Sequence, residues 1–277
     1  GLALSLIAVI FLAYDFLGPY MPELIIHKGA SLNKIAGHMF LTTEGIFGVP
    51  LGVSAGFVFL FVLFGSLLDK AGAGEYFINL AFSMLGKYRG GSAKASIIAS
   101  GFMGIMSGSS IANTVTTGTF TIPLMKRTGF RAEQAAAVEV SASSNGQLMP
   151  PVMGAAAFIM AEFLGMAYTD VVIAAFIPAF VAYFGLFYII HLEALKLGLK
   201  GMDDEDIPPK WKTFIQGIHY LIPIMFLLYT LVVLRESAAS AAFNAIMLLM
   251  VLMVVQHPFR AILAKEKLTR DIWLSGR

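Results

Sequence analysis

Ser107-Gly108-Ser109-Ser110-Ile111-Ala112-Asn113-Thr114, answered further along by Ser143-Ser144-Asn145-Gly146-Gln147-Leu148-Met149-Pro150-Pro151, decides the reading of this chain. Both stretches set polar and helix-breaking residues inside sequence apolar enough for a bilayer. An unsatisfied backbone group in hydrocarbon costs several kcal/mol, so such breaks are tolerated at membrane depth only where they face protein or line a cavity. Two of them in one chain point to a substrate or ion site built from discontinuous helices.

The flanking composition supports a membrane setting. Of 277 residues 58% are hydrophobic and 13% charged, and the mean hydropathy is +0.79; a soluble core is excluded and an all-α integral membrane protein expected. With no cysteine, neither disulfides nor thiolate metal sites contribute. Gly1 opens within an apolar segment with no charged stretch before it, so residues 1 to 20 do not read as a signal peptide, and the chain reads as a piece of something longer.

Apolar segments run from Gly1 to Pro19, Ile46 to Leu68, Tyr76 to Leu85, Ala95 to Leu124, Ala132 to Leu164, Val171 to Leu192, Phe214 to Leu234 and Ala238 to Val255. At about 20 residues per crossing they are not all simple spans. Tyr76 to Leu85 is too short and reads as an interfacial helix or packed arm. Lys87, Arg89 and Lys94 precede the Ala95 to Leu124 segment and Lys126, Arg127 and Arg131 follow it, which puts both ends on the cytoplasmic side. That segment is therefore expected to be re-entrant: two half-helices of about a dozen residues each, turning at Ser107 to Ser110 and reaching the midplane at 1.5 Å per residue. Glu162 and Asp170 mark an outer turn, Lys196, Lys200, Lys210 and Lys212 an inner loop, and Arg260, Lys265, Lys267 and Arg270 an inner tail; Lys28 and Lys34, expected outside, fit this map least well. The acidic run Asp203 to Asp206 reads as a solvated loop.

A hairpin tip exposes free N–H groups and the positive dipole end of its second helix, free carbonyls of its first, and neutral side-chain oxygens. The N–H groups suit a carboxylate. The oxygens of Ser107, Gly108, Ser109, Ser110 and Asn113 suit a small hard cation such as sodium. At the second break Ser143, Ser144 and Asn145 are expected to end a half-helix, Gly146 to take a left-handed or extended backbone, and Pro150-Pro151 to begin the next half-helix. Asn145 and Gln147 can hold a cation, orient the substrate or satisfy the broken backbone. Glu139 is an intramembrane carboxylate and a candidate coupling group, with snorkelling or pairing to Lys126 or Arg127 as the plainer alternative. The Gly48, Gly52, Gly56 series, and Gly104 with Gly108, read as helix-packing positions. His191 and His219 are expected near interfacial span ends. His27 and His38 are expected in a solvated outer loop.

The runs Ile105 to Asn113, Val115 to Arg127 and Gly146 to Glu162 resemble the large membrane subunit of TRAP transporters, most closely the fused branch served by TAXI-type binding proteins. The resemblance implies a sodium-driven secondary importer of organic anions, usually carboxylates, in the inner membrane. It implies an elevator fold in which a transport domain (95–165) moves past scaffold segments (1–94 and 166–277). Its implied partners are a periplasmic binding protein, a small membrane subunit, fused or separate, and membrane lipid, with no nucleic acid. The only cofactor is sodium as coupling ion. It places sodium near Ser107, Gly108, Asn113, Ser144, Asn145 and Gly146, with Ser109, Ser110, Ser143, Gln147 and Pro150 completing the wall of the pocket. Family members carry a second, inverted half with its own hairpin and broken helix. This chain thus reads as one half of the repeat, either a piece of a longer polypeptide, the favoured reading, or the partner of a separate one.

A channel or purely structural subunit is the alternative. Selectivity filters, however, form from symmetric rings of one loop, whereas here a hairpin pairs with a different broken span. A serine hydrolase at Ser107, Ser109 or Ser110 lacks a His or Lys base at the same depth.

Overall fold

The computed structural model describes residues 2–263, with side chains described to residue 255. The basic tail expected at Arg260, Lys265, Lys267 and Arg270 lies outside the described side chains. All regular structure among the described residues is helical. Five helices there are long and apolar enough to cross a membrane: Leu2–Tyr20, Val49–Lys70, Tyr168–Lys196, Asp204–Val233 and Ala238–Val255.

The chain divides into two compact units, Gly1–Ala55 and Gly56–Arg277. The first holds α1 (Leu2–Leu17), α2 (Leu32–Leu41) and α3 (Val49–Val53). Its connecting loop is pinned to α1. The Tyr14 hydroxyl donates to the Ile25 carbonyl at 2.8 Å, and His27 Nε2 meets the Tyr14 carbonyl at 3.0 Å. His27 is therefore a structural tether and not a solvated loop residue. His38 is exposed as expected, 4.0 Å from Glu44, but it lies in the last turn of α2 and not in a loop.

The second unit holds α4 (Phe59–Lys70), α5 (Ala73–Leu85), α6 (Gly91–Ser107), α7 (Ser110–Arg127), α8 (Ala132–Asn145), α9 (Ala155–Leu164), α10 (Tyr168–Lys196), α11 (Lys210–Gly217), α12 (Leu221–Leu228) and α13 (Ala238–Leu263). Its central element is α6, packed by α4, α5, α7, α8 and α10. A helix enclosed on so many sides needs small residues. Gly91, Ser92, Ala93, Ala95, Ser96, Ala99, Ser100, Gly101 and Gly104 of α6 are all buried. The short helix α5 is a packed arm: Ile78, Ala81 and Phe82 meet Ala95 and Ala99 of α6. It starts after Gly72 at φ 102° and stops at Gly86.

α6 and α7 form an antiparallel hairpin. Ser92 and Thr128 hydroxyls lie 2.6 Å apart at its base, and Asn113 Nδ2 donates to the Ser100 carbonyl at 2.8 Å nearer the tip. The arms are longer than the dozen residues expected, 17 in α6 and 18 in α7, or about 26 Å each at 1.5 Å per residue. The extra turns come from basic sequence that the apolar segment excluded. Lys94, expected just before the hairpin as a topology signal, is part of α6 and buried there, 2.9 Å from His191 Nδ1 on α10 and over the Phe187 ring. His191 is thus a packing partner of the hairpin. The base is sealed by Ile97, Met125, Phe130, Val138, Tyr183 and Ile190.

The acidic run is exposed as expected, with Asp204 Oδ1 2.6 Å from Lys87 Nζ. Of the proposed packing glycines, Gly52 and Gly56 have open space where a side chain would project, whereas a Cβ on Gly65 of α4 would collide with the Met106 carbonyl of α6. The close helix approach lies nine residues, about two and a half turns, beyond the end of the glycine series that the sequence suggested.

Candidate functional site where two helix breaks meet

α6 ends because Gly108 adopts φ 56° and its N–H returns to the Gly104 carbonyl. α7 restarts two residues later, capped by Ser109, whose Oγ accepts from the Ala112 N–H at 3.3 Å. An N-cap hydroxyl satisfies one of the free N–H groups of a first turn and leaves the others available.

α8 stops at Asn145, as expected, but the chain then departs from the expected course. Gly146 keeps right-handed helical angles, φ −57° and ψ −27°. It is glycine for contact: a Cβ there would meet Gly104 Cα at 3.0 Å and Asn113 Nδ2 at 3.1 Å. Helix does not resume at Pro150-Pro151, which are joined by a cis bond, but at Ala155. A residue before proline is pushed to extended backbone, and Met149 obeys at φ −79°, ψ 114°; neither proline has an N–H to give. The loop closes through Gly154 N–H to the Gln147 carbonyl at 2.8 Å, with Met153 at φ 52°. A Cβ on Gly108 would strike the Met153 carbonyl, so the two breaks touch backbone to backbone.

Between them lies a cavity of about 380 Å³. Its polar wall is Ser107, Gly108, Ser109 and Gln147, together with Gly154, Ala155 and Ala156 at the start of α9. The N-cap of α7, Ser109, and the start of α9 therefore face one space, and free N–H groups at a helix start favour negative charge. Its other wall is apolar, with Phe61 and Phe158 backed by Tyr168, whose ring stacks 4.2 Å from that of Phe158. A comparable cavity of about 390 Å³ beside Val172, Phe176 and Met225 is lined by apolar side chains and Tyr229, and offers an anion no convergent polar groups.

The residues singled out from sequence fall into three sets. Ser107, Gly108, Ser109 and Gln147 line the cavity, and Ser110 joins them through Gln147 Nε2, which donates to its Oγ at 2.6 Å. Asn113 and Gly146 are buried side by side behind it. Ser144 is exposed, Asn145 half-buried and Pro150 buried; none of the three lines the cavity. Ser143 turns the other way, donating to Glu139 Oε1 at 3.2 Å.

Glu139 is fully buried and pairs with neither Lys126 nor Arg127. Its carboxylate accepts from the hydroxyls of Ser100 at 2.9 Å, Thr117, Thr121 at 2.5 Å and Ser143 at 3.2 Å. Sequence reasoning passed over Ser100, Thr117 and Thr121, although Asn113, Thr117 and Thr121 recur at helical spacing and mark a polar face of α7. It also passed over Met153, Gly154 and the α9 start. Nothing in a single sequence brings those residues to Gly108.

The family described as "Tripartite ATP-independent periplasmic transporter, DctM component" matches residues 1–271. Among curated proteins the chain is similar to the C4-dicarboxylate TRAP transporter large permease of Vibrio cholerae, 32% identical over 131 residues, 46% of this chain and 27% of that protein. The corresponding permease of Rhodobacter capsulatus is 35% identical over 91 residues, 33% of this chain and 21% of that protein. A longer match, 23% identical over 193 residues, covers 67% of this chain and 44% of the 2,3-diketo-L-gulonate TRAP transporter large permease of Escherichia coli. The matched stretch thus spans about a quarter of the first two relatives and under half of the third.

Proposed function

We infer from this chain, which belongs to the DctM-component family of tripartite ATP-independent periplasmic transporters, that it forms half of the transport unit of a sodium-coupled importer of organic anions in the inner membrane. The observation that carries this reading is the cavity where the starts of α7 and α9 converge beside Ser107, Ser109 and Gln147. Preorganised N–H groups at two helix starts hold a carboxylate without a dedicated cation, and a site near the membrane midplane built from broken helices allows alternating access. Sodium, a hard cation, takes carbonyl and hydroxyl oxygens; the family resemblance puts it at those of Ser107, Gly108, Asn113, Ser144, Asn145 and Gly146, of which Ser107 and Gly108 line the cavity. Relatives named for C4-dicarboxylate and 2,3-diketo-L-gulonate support an anionic cargo. In this reading the second hairpin and broken helix close the site from the other side, a small membrane subunit braces the scaffold, and a periplasmic binding protein, of the TAXI type, delivers the anion. Residues 95–165 move as the elevator.

The test is sodium activation of uptake by the complete transporter, with its binding protein, in proteoliposomes. Asn145→Ala is expected to raise the sodium concentration for half-maximal uptake at least fivefold; unchanged activation removes Asn145 from the ligands. Uptake indifferent to sodium in the unmodified protein overturns the coupling.

A further inference from the structure

We propose that Glu139 is a positioning residue, a latch that fastens the hairpin to the broken helix so that the two breaks stay in register as one body. Its carboxylate collects hydroxyls from three helices: Ser100 of α6, Thr117 and Thr121 of α7, and Ser143 of its own α8. The side chain reaches them past Gly118, where a Cβ would crowd Glu139 Cγ at 3.3 Å. No cation competes for it: the ion pairs among the described residues are His38–Glu44 and Lys87–Asp204.

Two short relays run from this knot to the breaks. Thr117 Oγ1 also reaches the Asn113 carbonyl at 2.8 Å, and the Asn113 amide holds the Ser100 carbonyl at 2.8 Å against Gly146. Ser143 lies in the last turn of α8, directly before Ser144, Asn145 and Gly146. One carboxylate therefore governs the turn that carries Asn113 and the turn that carries the second break. A buried polar network is rigid only when every member is satisfied.

A latch needs hydrogen-bonding shape, whereas a coupling carboxylate needs charge. Gln at this position keeps the shape. Its Oε1 accepts from Ser100, Thr117 and Ser143, its Nε2 donates to Thr121, and the Thr121 hydroxyl turns to the Thr117 carbonyl already 3.0 Å away. Leu keeps neither shape nor charge.

The experiment is amide hydrogen exchange on the complete transporter in lipid nanodiscs, in choline chloride and again across a sodium chloride titration. In choline, Glu139→Leu is expected to quicken exchange in 107–113 and 143–148 together, by about tenfold, while α10 and α13 keep wild-type rates. Glu139→Gln stays within about threefold of wild type, and Thr121→Val, which removes one hydroxyl and carries the test if the Leu variant does not fold, quickens both segments about threefold. Quickening in one segment alone, in neither, or evenly throughout the chain overturns the latch. So does a Gln variant with wild-type exchange that has lost protection by sodium, which makes Glu139 a coupling group instead. The proposal uses the assigned sodium ligands only in that last arm. If wild-type protein shows no sodium protection, the sodium reading fails while the exchange in choline still judges the latch.

Discussion

At the hairpin tip the chain leaves one helix and enters the next within two residues, Gly108 and Ser109, whereas from α8 to α9 it wanders from 146 to 154 before helix resumes. The tip supplies its own partners: the Gly108 N–H returns to Gly104, and Ser107 and Ser109 bond locally. The second break borrows its partners. Tyr168 of α10 donates to the carbonyls of Pro151 at 2.7 Å and Val152 at 2.9 Å, and Tyr183, four turns further along α10, donates to Ala142 at 2.8 Å. Two prolines and an interrupted ladder leave carbonyls that nothing nearby in sequence can satisfy, and in a membrane they must be satisfied inside the protein. The first break is thus a local device and the second a property of how α8, α9 and α10 pack.

The sharpest attack on this contrast is Gly108→Val. A branched side chain is strained at φ 56° and its Cβ runs into the Met153 carbonyl, so both breaks suffer together. A loss of about 3 kcal/mol or more in unfolding of the complete transporter is expected, read by thermal or denaturant unfolding in detergent. Tyr168→Phe comes next and separates the two regions. It strips the donor from two carbonyls, an expected loss of about 1–3 kcal/mol, with faster amide exchange through 147–154 and unchanged exchange at the hairpin tip. Faster exchange at the tip as well would mean that the first break also leans on α10.

The same contrast decides what could be read from the sequence alone. The hairpin was legible because its signals are local: Gly and Ser at the turn, Lys and Arg at both ends, apolar residues between. The stop of α8 at Asn145 was legible for the same reason. The restart was not, since Pro150-Pro151 looks like a helix start unless it is known that Met153 and Gly154 fold back against Gly108. Gly146 looks in sequence like a conformational glycine, yet its angles are helical and its reason is Gly104 on another helix. The series Gly48, Gly52, Gly56 looks like a packing stripe, yet a Cβ on Gly52 or Gly56 would meet nothing within 4 Å and one on Gly48 only its own neighbouring loop, while Gly65 carries the contact with α6. Lys94 counted as a topology signal and is buried against His191. Long-range partners cannot be inferred from the periodicity of one helix: the stripe Asn113, Thr117, Thr121 marks a polar face of α7 in the sequence, and only the structure brings Glu139 to it.

A smaller effect tests the self-sufficiency of the tip. Ser109→Ala removes the cap on the Ala112 N–H and is expected to cost about 1 kcal/mol. Faster exchange should be confined to the first turn of α7, because the lost bond lies wholly within that turn.

The smallest expected effect lies where the two regions meet directly. Gln147 Nε2 donates to Ser110 Oγ at 2.6 Å across the mouth of the cavity, and Gln147 is exposed, so water competes for both partners. Single substitutions Ser110→Ala and Gln147→Ala should each cost about 0.5–1 kcal/mol, and a double-mutant cycle on unfolding should return a coupling of about 0.5 kcal/mol. The direction of change on adding substrate then bears on the site itself. If an anion takes the N–H groups at the α7 start, Ser110 and Gln147 become neighbours of the ligand, and the coupling should grow when the cycle is repeated with saturating anion. A coupling unaltered by anion would confine this bond to bracing the two breaks and leave recognition to the helix starts.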